Sequence, residues 1–137
     1  MNRSGHFEAF KAAIPSPVAA HDTLVPVVDG EILRASYSVL YDVGADDPPD
    51  DDRYLAAQRA ASKVTWRYVV KSVGESPFAA RAVDSAVAGL IGKVLIVAGR
   101  KCDPLELDEV GPVKEDTSVS PPLYFIESDY LLTSREA

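Results

Sequence analysis

Phe7, Phe10 and Ile14 recur at helical spacing behind a capping Ser4, and the PSP run at residues 15–17 stops the pattern, which predicts a short N-terminal helix. Residues 18–33 hold two apolar clusters, LVPVV and EIL, around an Asp29-Gly30 turn. Pro26 argues against a regular interior strand there, so the segment reads as a packed loop. Residues 35–43 alternate, with Ala35, Tyr37, Val39 and Tyr41 on one side and Ser36, Ser38, Leu40 and Asp42 on the other, the period of a strand. GADDPPDDD, residues 44–52, has too many prolines and aspartates to pack or pair and is an exposed loop, after which Asp52 is placed to cap one or two helical turns over residues 54–61.

The second half is more strongly patterned. Residues 64–73 form a long strand with Val64, Trp66, Tyr68 and Val70 on one face and Thr65, Arg67, Val69, Lys71 and Val73 on the other. Ser76 is a good N-cap, Pro77 suits the first helical position, and Gly92 fits the left-handed residue that closes a helix. Between them Phe78, Ala82, Val83, Ala86, Val87, Leu90 and Ile91 make an apolar stripe. KVLIVA, residues 93–98, reads as a buried strand turning at Gly99. A short strand at 105–107, a turn-rich loop at 111–122 and a final strand at 123–132 follow. The order predicts an α+β fold, a single domain over residues 1–137, with a mainly antiparallel sheet and helices packed on one face.

Charge and composition narrow the function classes. With 14 basic against 21 acidic side chains the chain carries −7, a poor basis for gripping nucleic acid, whose affinity comes largely from Lys and Arg displacing counterions. One cysteine, Cys102, excludes an internal disulfide and a multi-cysteine zinc site. No apolar run resembles a signal peptide or the ~20 residues of a membrane span, which points to synthesis in a cytoplasm and no membrane partner.

Chemical motifs are weak. The Gly92-Lys93 pair lacks the glycine five residues earlier and the hydroxyl residue afterwards that a phosphate loop needs; Val87 and Val94 stand there. Asp46, Asp47, Asp50, Asp51 and Asp52 lack the alternate ligand spacing, central glycine and closing glutamate of an EF-hand, so they read as a solvated loop. His6 and His21 have no partner at metal-ligand spacing, Ser4, Ser36 and Ser38 sit in no nucleophile turn, and Cys102 has only its neighbours Arg100 and Lys101 to lower its pKa. No catalytic, cofactor or metal residue is assigned, and the protein is expected not to be an enzyme.

Surplus apolar surface is more informative. Tyr37, Tyr41, Trp66 and Tyr68 lie on strand faces that one long helix cannot cover, and the LVPVV and EIL clusters add to them. Either the first helix and the loops close those faces, or a partner does.

The chain also resembles a family. The segments Val73-Gly74, Leu90-Ile91-Gly92, LIVAGR at residues 95–100, PVKED at 112–116 and PPLYF at 121–125 follow in the order seen in the tail-terminator, or tail-completion, proteins of long-tailed bacteriophages. DGEIL and YSVLYDVG fall where that family has its Asp-Gly turn and first strand, while the acidic loop with YLAAQRAA is longer than the family pattern. The resemblance implies a structural virion protein of the tail neck, assembled in the bacterial cytoplasm, that caps the tail tube as a ring, commonly of six copies, and joins it to head-completion or connector proteins. Its partners would be itself, the tail tube protein and the connector, with genomic DNA passing through without specific binding. Ring-contact candidates are then Leu24, Val25, Val27, Val28, Ile32, Leu33, Tyr41 and Trp66, and the five loop aspartates are candidates for an acidic channel along which DNA slides. The alternatives are a head-completion adaptor and, from another class, a small α+β enzyme or metal- or ligand-binding module using the loop from Asp46 to Asp52.

Overall fold

The computed structural model describes residues 3–15, 18–28, 30–45 and 63–136. In chain order the elements are α1 (Arg3–Ala13), β1 (Ala19–Asp22), β2 (Val27–Val28), β3 (Glu31–Ile32), β4 (Tyr37–Ala45), β5 (Lys63–Gly74), α2 (Pro77–Ala88), β6 (Ile96–Val97), β7 (Arg100–Cys102), β8 (Glu106–Val110), β9 (Lys114–Asp116) and β10 (Leu123–Glu136). The loop of residues 46–52 and the helix expected at 54–61 lie outside the described residues.

The fold is mostly β, which corrects the α+β expectation. Segments with too few apolar residues to attract attention as strands are recruited by β10. Its 14 residues pair with β5 on one side and with β9, β8 and β7 in succession on the other. Backbone hydrogen bonding to an already extended neighbour needs no apolar pattern of its own, so KED and RKC become strands. The sheet runs β1-β4-β5-β10-β7-β6 and is mixed: β1 lies parallel to β4, while the other pairs are antiparallel.

The centre is the ribbon of β5 and β10, in register from Tyr124 opposite Gly74 to Arg135 opposite Lys63. Residues directly opposite share a face. Trp66 therefore stands beside Leu132, and Tyr68 beside Tyr130. Both helices cover this face. Phe10 of α1 reaches Tyr68 and Tyr130 at ring separations of 5.5 and 5.4 Å, and Val87 with Leu90 closes the α2 side of the same cluster. The opposite face holds a smaller cluster of Tyr37, Val39, Val73 and Leu123. Because β4 contributes to both, its residues Tyr37, Ser38, Val39 and Leu40 are buried without alternation. The strand then loosens at Val43, where the register with β5 shifts and Gly44, at φ 115°, bonds its N–H to the Asp42 carboxylate.

The turn from β5 into α2 is tight. A Cβ on Gly74 would come within 2.6 Å of the Ala80 nitrogen and of the Ala79 Cβ, so only glycine lets the helix start this close to the strand. Ser76 caps the helix as expected, its Oγ accepting from the Ala79 N–H at 3.0 Å, and Pro77 follows. The helix ends earlier than the sequence predicts, at Ala88. Turns carry the chain through to Gly92, whose φ of 86° is the left-handed conformation foreseen there and whose N–H is used by the Leu105 carbonyl.

Three other expectations are corrected. The packed loop at 18–33 contains β1 and the β2–β3 hairpin; Pro26 ends up just before β2, needing no donor there and offering its carbonyl to the Leu33 N–H. Phe78, assigned to the buried stripe, is 77% exposed. It precedes Ala80 by two residues, roughly 200° around the helix, and the buried line is Ala80, Val83, Val87. The 93–98 segment is a two-residue strand at the end of the sheet rather than a buried one. Leu95 and Val97 point inward, whereas Val94 and Ile96 face out.

Candidate functional site

Chemistry is sparse among the described residues. His6 is fully buried; its Nε2 lies 2.7 Å from the Ser134 Oγ, which also accepts from the Arg100 Nε at 3.1 Å, and the imidazole packs 5.6 Å from Trp66. This is a packed polar link between α1, β7 and β10. His21 meets Tyr37 edge-on. Ser38 donates to the Ala19 carbonyl, tying β1 to β4 through a side chain as well as the backbone. Cys102 is buried, and desolvation pushes its thiol pKa up despite Arg100 nearby, which removes the activation its basic neighbours suggested. No group of three His, Cys, Asp or Glu among the described residues is arranged to hold a metal ion. The acid at Asp42 is taken by Arg3, at 2.6 Å, at the rim of the cleft under α1.

The interface candidates divide. Trp66, proposed for a partner surface, is 4% exposed and belongs to the main core, because α1 lies across the face that a single helix left uncovered. Its outer side is closed by the Arg3 guanidinium, 5.8 Å above the ring. Tyr37 and Tyr68 are buried too. Val25, Ile32, Leu33 and Tyr41 are half-buried and pack against the smaller cluster. Only Leu24, Val27 and Val28 remain exposed, Leu24 by 76%. Asp46, Asp47, Asp50, Asp51 and Asp52 lie outside the described residues.

A second apolar surface went unrecognised. Ile91, Val94 and Ile96 are exposed in the stretch from the end of α2 into β6, Ile96 by 92%. The signal was present in KVLIVA, an unbroken apolar run: a strand turns alternate side chains to opposite sides, so at the end of a sheet one side of such a run is left uncovered. Reading the run as continuous burial hid it.

The two surfaces lie far apart. The β2–β3 hairpin rests, through Val25, Ile32 and Leu33, on the cluster containing Leu123, at the start of β10. The β6–β7 hairpin joins at Ser134 to Glu136, the other end of that strand. Eleven residues of strand separate Leu123 from Ser134, roughly 35 Å along the chain. Among the described residues, exposed apolar side chains thus gather at two places toward opposite ends of β10.

No protein-family model matches the chain, and the curated proteins contain no match to it.

Proposed function

We propose that the protein is a structural component of a phage tail neck that closes as a ring on the end of the tail tube, halts its growth and joins it to the connector. The observation that carries this is the pair of unlike exposed apolar surfaces at opposite ends of β10. A contact between two different surfaces of identical subunits runs head to tail and closes into a ring when its rotation divides the circle. A self-complementary dimer would need only one such surface. The order of motifs shared with tail terminators supports the same reading, and several of them fall at structural junctions: Val73-Gly74 at the β5–α2 turn, LIVAGR across the β6–β7 hairpin and PPLYF at the entry to β10.

The work needs no reacting group. Recognition by shape sets the ring, commonly six-fold, between tube protein and head-completion proteins. The net charge of −7 favours a bore from which DNA is repelled and along which it slides. Exposed Glu106 and Glu109 on β8 add to that balance. The test is mass measurement of the purified protein alone and after mixing with assembled tail tubes of a long-tailed phage. The reading expects self-association that rises with protein concentration and closed rings at tube ends. Single copies on the tubes, or none, would refute it.

A further inference from the structure

We infer that the ring contact is made by two hairpins: the β2–β3 hairpin of one copy docks on the β6–β7 hairpin of the next, Val28 against Ile96 with Glu31 facing Lys101. This rests on the ring reading above and gives it a specific partner surface.

The two hairpins are built alike and charged oppositely. In β2–β3, Val28 stands directly across from Glu31, so the two side chains share one face, while the neighbouring pair Val27 and Ile32 shares the other, where Ile32 packs on the smaller cluster and Val27 stays exposed. In β6–β7, Ile96 stands across from Lys101 on the outward face, and Val97, paired with Arg100, is buried. On these faces Val28 stands beside an exposed acidic charge, and Ile96 beside an exposed basic one. Neither Glu31 nor Lys101 has an ion-pair partner among the described residues, whereas several charges along the central strands do: Arg67 of β5 pairs with Asp108 of β8, and on β10 Arg135 pairs with Asp103 and Glu127 with Lys114.

The surroundings extend the match. Leu24 continues the apolar side of the first surface, with Asp22 close by in sequence; Val94 and Ile91 continue the second, with Lys93 between them. In a chain with a net charge of −7, Lys93 and Lys101 beside these apolar residues are opposite in sign to Glu31 of the hairpin that would dock there. β6 is also the last strand of its sheet. Sheet ends are usually protected by charge or cover, and a bare isoleucine there is what a partner-covered end leaves when the partner is absent. Burying that end against a sister copy satisfies both surfaces at once, since the free hairpin of the second copy repeats the arrangement.

Cysteine cross-linking tests the contact in the full chain, with little background because Cys102 is buried. Val28→Cys and Ile96→Cys are made singly and together, each checked for an unchanged thermal transition, and oxidised at high protein concentration. The double variant should give a ladder of oligomers beyond the dimer. Each single variant should stay monomeric, and a mixture of the two singles should stop at the dimer, since only one competent joint exists per pair. Absence of the mixed dimer, or cross-linking of either single variant to itself as readily as to the other, overturns the proposal.

Charge exchange provides an independent arm. Glu31→Lys and Lys101→Glu should each weaken self-association about tenfold by placing like charges together, and the two combined should restore it to within about threefold. Failure to restore overturns the pairing of these two residues. If wild-type rings form on tubes while residues 28 and 96 never cross-link, the hairpin contact is wrong and the ring survives. If the wild type neither self-associates nor seats on tubes, the ring and the contact fall together.

Discussion

The β5–β10 ribbon and the two outlying hairpins are made of similar residues and differ in what covers them. On the ribbon, Trp66, Tyr68, Tyr130 and Leu132 lie under Phe7, Phe10 and Ile14 from one helix and Val87 from the other, so each inward side chain meets apolar neighbours within the same chain. In the hairpins only the inner residue of each pair is covered. Ile32 and Val97 pack, whereas Val28 and Ile96 do not. The ribbon is therefore complete in one copy. The hairpins are half complete, so the residues that hold the fold and those proposed to meet a sister copy form separable sets.

That separation can be broken hardest with alkali. Burial raises the pKa of Tyr68 and of Tyr130 above the ordinary phenol value of 10.0, and raises that of Cys102 above the thiol value of 9.0. The unfolded chain loses these protons first, so it binds fewer than the native chain as pH rises through this range, and stability falls. Unfolding followed by circular dichroism should show a midpoint that drops steadily above about pH 9, with collapse of the fold once both central tyrosines ionise. A midpoint unchanged to pH 11 would contradict their burial.

Phe10→Ala should come next, costing about 3–5 kcal/mol in denaturant unfolding, because it opens a cavity between Tyr68 and Tyr130 beneath α1. Gly74→Ala should cost about 1–3 kcal/mol by forcing α2 away from the strand end, a loss visible as a lower melting temperature. Ser76→Ala removes the acceptor for the Ala79 N–H and should cost about 1 kcal/mol. Val28→Asp and Ile96→Asp define the other end of the scale. Each should shift stability by no more than about 0.5 kcal/mol, as exposed substitutions do, while abolishing incorporation into tail assemblies. A large loss of stability in either would show that the hairpins belong to the folding core.

Much of the ribbon side was legible in the residues. Val64, Trp66, Tyr68 and Val70 alternate cleanly, and Ser76-Pro77 announces the start of α2, because these signals act within one turn or one strand and need no distant partner. The candidate surfaces were legible only in part. Leu24, Val27 and Val28 are apolar residues with no regular element beside them to cover them, and they are exposed, but Trp66 carried the same signature and is buried. Whether a large apolar side chain is covered depends on where an element distant in the chain comes to rest. For Trp66 that element is α1, whose Arg3 and His6 close over the indole. For Ile96 nothing in the described chain comes to rest above it.

From the sequence alone came the local grammar: which stretches extend, where the second helix begins, which glycine must turn left at Gly92, and a charge balance unsuited to gripping DNA. Those properties are set by backbone sterics, capping and side-chain chemistry over a few residues. Tertiary structure alone decided that β10 would gather three weakly patterned segments as strands, that Trp66 would be covered, and that Val28 and Ile96 would end at opposite ends of the long strand. Each of these depends on pairing or packing between residues distant in the chain, where the free energy belongs to the contact and is carried by neither segment by itself.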